Sequence, residues 1–218
     1  MTFVDFCGLV IETGPDALIP RPETELAAQT AIDRCSTRFG ARFVDVCCGT
    51  GNLACAIASA QPDTRGWALD LTAPCVELAQ RNVARLGLAD RVEVRQGDLF
   101  APLADLAPGS IDLIVCNPPY ISTSRLASRD DLAGEPREAF DGGPYGVTIH
   151  QRVARDAKAL LAPGGWLVFE FGLGQERQLQ LVLQRAGGYD EITMITNAEG
   201  APRVVAARLA KTPAAPRK

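Results

Sequence analysis

The sequence predicts an α/β fold: a seven-stranded, doubly wound sheet with an antiparallel last strand, preceded by a short N-terminal hairpin and helix. Two observations carry this. From Phe43 onward, short β-branched runs alternate with helical patterns through five β-α units. The last two runs then follow one another with no helix between them, as an antiparallel pair does.

The first forty residues form a preface. "FCGLVIETG" reads as a short hairpin, and "ALIPRPETE" leads into a helix. Pro22 in the first turn, with Glu23 and Glu25 beside it, suits a helix start. "RFVDVCC" is the first strand of the main sheet and breaks into "GTGN"; the small-residue stretch "LACAIASAQ" is its helix. "TRGWALDL" is the second strand, ending at Asp70 and Leu71. Val76, Ala79, Val83 and Leu86 then recur at helical spacing, and Gly87 stops that helix. "RVEVRQGDLF" and "IDLIVCNPPY" are the third and fourth strands. Ile149, Val153, Ala157 and Leu160 mark a helix stopped by "PGG", and "WLVFEFG" is the fifth strand. Leu179, Val182, Leu183 and Ala186 share a face of the next helix, before the closing strands "DEITMITN" and "PRVVAARLA". No repeat or linker divides the chain. We therefore expect one catalytic domain over 41–210, with the hairpin and helix of 1–40 packed on it and a disordered tail over 211–218.

Composition narrows the function. With 47% hydrophobic and 22% charged residues, the chain reads as an ordinary globular domain. No apolar run is long enough to span a bilayer, and the N-terminus lacks a basic secretion signal, so a cytoplasmic protein is expected. A net charge of −4 argues against unaided nucleic-acid binding. The seven cysteines include no C-x-x-C pair, and the lone His150 stands apart, so reduced thiols and no metal site are expected.

In such sheets, ligands sit at the carboxyl ends of the strands near the switch in strand order. Three features fall there. "DVCCGTGN" is a tight strand-to-helix turn whose Gly49 and Gly51 allow close backbone approach. Asp70 ends the next strand, where a carboxylate accepts from both hydroxyls of a ribose. "GDLF" puts Asp98 where it accepts from an adenine amino group, with Leu99 covering the ring. Together they indicate an adenosine-containing ligand. The third glycine of a dinucleotide fingerprint is replaced by Ala54, and no residue nearby serves hydride transfer.

The fourth strand ends in Asn117-Pro118-Pro119-Tyr120. This suits methyl transfer from a sulfonium to nitrogen, a reaction that needs positioning above all. If the Asn117 side-chain oxygen and the Pro118 carbonyl each accept one N–H of an amide, the nitrogen lone pair is aimed at the methyl group. Consecutive prolines hold those acceptors still, and Tyr120 offers a face for stacking.

The arrangement of strands resembles that of class I S-adenosylmethionine-dependent methyltransferases, a Rossmann-like fold. "NPPY" resembles the motif of enzymes that methylate nitrogen on planar groups. "LIPRPETE", "NPPYIS", "EPREAFDGGPYG", "RNVARLGL" and "LLAPGGWLVFEFG" together resemble the HemK/PrmC-type protein-(glutamine-N5) methyltransferases, which act on the Gly-Gly-Gln loop of release factors. The resemblance implies S-adenosyl-L-methionine as cofactor, contacted by Cys47, Cys48, Gly49, Thr50, Gly51, Asp70, Leu71, Asp98, Leu99 and Asn117. It implies that Asn117, Pro118, Pro119 and Tyr120 hold the reacting nitrogen, and that Arg21, Tyr120 and Glu135 line the substrate pocket. Two departures stand out. Cys47 occupies a position where the family usually has glycine, a change that costs little if its φ is negative. The helical N-terminal docking domain of the family has no counterpart in these 218 residues. A release-factor-like protein is thus the expected methyl acceptor. A small-molecule N-methyltransferase and a non-catalytic S-adenosylmethionine-binding module are the alternatives.

Overall fold

A computed structural model describes residues 2–127 and 135–211. Its main sheet has seven strands in the order β5-β4-β3-β6-β7-β9-β8. They are β3 (Arg42–Val46), β4 (Arg65–Asp70), β5 (Val92–Gln96), β6 (Ile111–Cys116), β7 (Leu161–Glu170), β8 (Tyr189–Thr196) and β9 (Pro202–Leu209). β3 through β7 pair in parallel, whereas β9 runs antiparallel to both β7 and β8. The expected class is observed, with the last strand inserted inside the sheet edge.

Both faces are covered, which explains the unbroken apolar runs. Phe43, Leu113, Val115 and Val168 pack on one side, against α1 (Glu25–Cys35), α2 (Asn52–Ala60) and α3 (Ala73–Arg85). Their alternates Val44, Val46, Ile114, Cys116 and Phe169 pack on the other, against α5 (Thr148–Leu160) and α6 (Glu176–Ala186). A single helical turn, α4 (Thr123–Leu126), follows the NPPY segment.

Several boundaries differ from expectation, each for a local reason. The hairpin is longer: β1 (Thr2–Phe6) and β2 (Leu9–Thr13) meet across Cys7 and Gly8, with φ of 51° and 75°. Positive φ at both central residues matches the twist of a two-residue hairpin turn. The Cys7 N–H donates to Glu25 Oε1 at 2.8 Å, tying this turn to α1. Between β5 and β6 there is no α-helix, only a 3₁₀ turn at Ala101–Leu103, because Pro102 and Pro108 interrupt the connection. β7 begins at Leu161 and so includes "PGG", absorbed as a register shift against β6. The tail expected over 211–218 lies, but for Lys211, outside the described residues.

Candidate active site

Strand order reverses between β3 and β6, so the loops after these strands diverge and leave a crevice. The Gly-rich turn and the NPPY segment begin at adjacent rungs, since Val46 pairs with Cys116. Two cavities open there. One, of about 700 Å³, is lined by Cys47, Cys48, Gly49, Thr50, Asp70, Leu71, Asp98, Leu99 and Pro119. The other, of about 980 Å³, is lined by Pro118, Tyr120, Tyr145, Glu170, Leu173 and Arg203. Asn117, Arg21, Leu18 and Ala139 belong to both. Asn117 thus stands in the partition.

The first cavity is lined by the Gly-rich turn and two carboxylates. Asp70 Oδ2 accepts the Gly49 N–H at 2.9 Å, and Oδ1 accepts the Thr72 N–H at 3.0 Å, leaving lone pairs for further donors. Asp98 is ion-paired through Oδ2 with Arg152 of α5 at 2.6 Å, and this pair does not use Oδ1. Leu71 is exposed at the edge, and Leu99 adopts φ 48° to bring its side chain inward, buried. Gly51 does not line the cavity. Its φ is 75°, and a Cβ there would come within 3.1 Å of Ala79 Cβ, so this glycine permits the contact between the turn and α3.

Cys47 departs from expectation: its φ is 60°, in the left-handed region. A β-carbon there costs about 1 kcal/mol, which is why a glycine suits the position. A second support was invisible in the sequence. Buried Asn82 of α3 donates from Nδ2 to the carbonyls of Thr50 and Glu12, both at 3.0 Å, and accepts the Glu12 N–H at 2.8 Å. It ties the hairpin to the Gly-rich turn.

The NPPY segment is held from two sides. The Ile121 N–H donates to Phe140 O at 2.9 Å, and the Gly142 N–H donates to Ile121 O at 2.8 Å. Gln175 donates from Nε2 to Tyr120 O at 2.9 Å while its Oε1 accepts the Gly172 N–H at 2.8 Å. Asn117 donates from Nδ2 to the Thr24 hydroxyl at 3.3 Å, whereas its buried Oδ1 has no partner among the described residues. A buried acceptor that no donor reaches costs about 1–3 kcal/mol.

Of the expected substrate-side pair, only Arg21 lines a cavity. Glu135 is spent in an ion pair with Arg21 and in accepting the Ile19 N–H at 2.9 Å. It straps the "IPRPET" segment to the loop after the NPPY segment. The floor of the larger cavity holds residues that the sequence reading took as plain strand. Glu170 at the end of β7 is buried, with Oε2 unpartnered, and its Oε1 lies 3.7 Å from Arg203 of β9. Arg203 also approaches the Tyr120 hydroxyl at 3.4 Å.

Residues 22–133 match the family model described as "Methyltransferase small domain". The chain is 34% identical over 200 residues to a release factor glutamine methyltransferase of Moorella thermoacetica, covering 91% of this chain and 70% of that one. A second, from Geobacter sulfurreducens, is 36% identical over 207 residues, covering 94% and 70%. The chain is a member of the HemK/PrmC-type glutamine methyltransferase family. Among solved structures, the hMettl16 catalytic domain in complex with the MAT2A 3'UTR hairpin 6 superposes with a TM-score of 0.73 at 17% identity, covering 94% of this chain and 76% of that one, a likeness of fold.

The protein is therefore an S-adenosylmethionine-dependent methyltransferase. The residues present fit that cofactor: a glycine turn at positive φ, two carboxylates with free lone pairs, and an orphaned acceptor between the cavities. Arg152 and Ile149, which also line the cofactor cavity, lie on α5 and carried no motif signal. Glu170 did carry one, as a charge at the end of an otherwise apolar strand.

The methyltransferase should lose stability as the pH rises above neutral. Beneath the Gly-rich turn, fully buried Asp45 accepts the Ala54 N–H at 3.0 Å, and burial pushes its carboxyl from 3.8 up to about 8. A carboxyl raised in the folded state stabilises the fold when protonated; that contribution is lost as pH rises through about 8. Glu170, raised by burial to about 7, acts in the same sense. His150 acts oppositely: burial lowers it to about 4, so its contribution is lost only as pH falls below its ordinary 6.5. Between about pH 6.5 and 8, below the range in which the buried thiols also contribute, the two carboxyls dominate, and unfolding free energy should fall by about 2 kcal/mol. Urea midpoints across that range test it, and Asp45→Asn should flatten most of the slope.

Proposed function

We propose that this enzyme methylates the side-chain amide nitrogen of a glutamine in a protein, with a release-factor-like acceptor. The observation that carries the reading is the position of Asn117, common to a cofactor-shaped cavity and a polar one, with an acceptor oxygen left unpaired. S-adenosylmethionine supplies an electrophilic methyl group on a sulfonium. Asp70 receives ribose hydroxyls, Asp98 an adenine amino group, and the Gly-rich turn from Cys47 to Gly51 the remainder of the cofactor. Asn117 Oδ1 and the Pro118 carbonyl each accept one amide N–H, which aims the nitrogen lone pair at the methyl group. Pro118 and Pro119 stiffen this cradle, and Tyr120 stacks on the planar amide. One N–H is exchanged for N–CH₃, and one proton leaves.

A protein acceptor is supported by the relatives' names and by the exposed apolar rim of the larger cavity, Tyr145 and Leu173. The preface belongs to the catalytic unit in this reading, because Thr24 touches Asn117 and α1 packs on the sheet. A cytoplasmic setting accords with the free cysteines and with the absence, among described residues, of a helix long and apolar enough to cross a membrane.

The test uses methyl-labelled S-adenosylmethionine with a release factor and with a Gly-Gly-Gln peptide. Label on the glutamine is expected. Label only on small amides or amines would move the reading to a metabolite enzyme, and no calorimetric binding of S-adenosylmethionine at one per chain would sink it.

A further inference from the structure

We infer that Arg152 is a positioning residue for the cofactor's base. It holds the Asp98 carboxylate in the direction that accepts an adenine amino group and refuses a purine carrying oxygen there. This deepens the cofactor reading and rests on Asp98 receiving that amino group. Arg152 and Asp98 both line the cofactor cavity, so their ion pair is part of its wall. The pair joins α5 to the loop after β5 across 54 residues of sequence.

The two carboxylates of this cavity are held in different ways. Asp70 is oriented by its own neighbours: Oδ2 accepts the Gly49 N–H at 2.9 Å, and Oδ1 accepts the N–H and the hydroxyl of Thr72 at 3.0 and 3.2 Å. Asp98 has only its backbone fixed locally. The Gly97 N–H donates to Asp70 O at 2.8 Å, and the Ala101 N–H donates to Asp98 O at 3.1 Å. These bonds hold the peptide planes and leave the carboxylate free to turn. Among the described residues its one hydrogen-bond partner is Arg152, which donates to Oδ2. The guanidinium arrives on a fixed element, since the adjoining Val153, Ala154 and Ala157 of α5 are fully buried in the core beneath the cavity.

A carboxylate fixed before the ligand arrives loses less freedom on binding, so its hydrogen bond to the amino group is realised more fully. The same fixing penalises the wrong base. A carbonyl oxygen in place of the amino group sets two acceptors against each other, and a tethered carboxylate cannot swing aside. Arg152 also opposes the charge of Asp98, which on its own would weaken the wanted bond and soften the repulsion. The two side chains are 40% and 53% exposed, so water screens that Coulomb effect, and the pair adds little to stability. Direction is what Arg152 contributes.

The experiment measures, by calorimetry, binding of S-adenosylhomocysteine and of S-inosylhomocysteine, in which a carbonyl oxygen replaces the amino group, to the parent, Arg152→Ala and Asp98→Ala. The parent should prefer the adenosyl ligand by about 10–100-fold. Arg152→Ala should weaken the adenosyl ligand by about 3–10-fold and leave the inosyl ligand almost unchanged, so the preference falls by about the same factor. Asp98→Ala should remove most of the preference. A general loss of packing would weaken both ligands alike, so the ratio reads the orienting role. Equal weakening of the two ligands in Arg152→Ala, or a parent-like ratio, overturns the inference. When the ratio collapses in Asp98→Ala but survives in Arg152→Ala, the cofactor reading stands and only the role of Arg152 falls. A parent with no preference, or an unchanged preference in Asp98→Ala, removes the reading of Asp98 and the inference with it.

Discussion

Replacing Asn117 with alanine is expected to lower kcat by about 10²–10³-fold while S-adenosylmethionine binding stays within a few-fold of the parent. That factor corresponds to about 3–4 kcal/mol of transition-state stabilisation. The binding side is argued from placement. Most of the cofactor cavity wall comes from the loops after β3, β4 and β5, anchored by Asp70 and by Asn82, and none of these contacts passes through the Asn117 side chain. The turnover side follows from the orphaned Oδ1: under the proposed mechanism, deleting it removes the acceptor that receives the amide N–H. KM for the peptide should rise modestly, because most of the larger cavity is untouched. Asn117→Asp separates orientation from charge. It keeps acceptor oxygens, so some turnover should persist, but it lacks the NH₂ donor that meets Thr24. Parent-like kcat in Asn117→Ala, measured by single-turnover label transfer, would remove the mechanism altogether.

The parts legible in the sequence are those in which one residue's chemistry and its place in the strand-helix order point the same way. Asp70 ends β4, and Gly49, Asp98 and Asn117 follow β3, β5 and β6 within three residues; the parallel sheet gathers such ends on one edge. Position along the chain was enough to bring them together. Glu135 shows the limit of that logic: its motif placed it near the substrate, but its carboxylate serves Arg21 and the Ile19 N–H. The φ of Cys47 was out of reach too, since nothing local forces a left-handed cysteine; the requirement comes from the turn between β3 and α2. Arg152, Asn82, Thr24 and Arg203 act across long sequence separations, and each becomes meaningful only when packing supplies a partner. The missing helix between β5 and β6 was a matter of two prolines outweighing the α/β rhythm.

One core position illustrates how narrowly the sheet beneath this site is packed, and it yields the largest expected loss of stability. Gly66 of β4 pairs directly with Phe43 of β3, whose ring is fully buried. A Cβ at residue 66 would stand 2.1 Å from Phe43 Cζ and 2.4 Å from both Cε atoms. The backbone here is not left-handed, so the glycine is required by the ring that lies across it and not by φ. The ring cannot swing away, because it sits in the closed cluster with Ala54, Ala58 and Leu113. Gly66→Ala should therefore cost about 3 kcal/mol, or about 10 °C in Tm for a domain of this size. Phe43→Leu removes the tip of the ring and, alone, should destabilise through the cavity it leaves. In the double variant the added methyl occupies part of that cavity, so its loss should be smaller than the sum of the two by about 1–2 kcal/mol. Urea denaturation of the four proteins closes the cycle. Losses that add to within about 0.5 kcal/mol would mean that ring and methyl never competed for the same space, and the account of Gly66 would have to be abandoned.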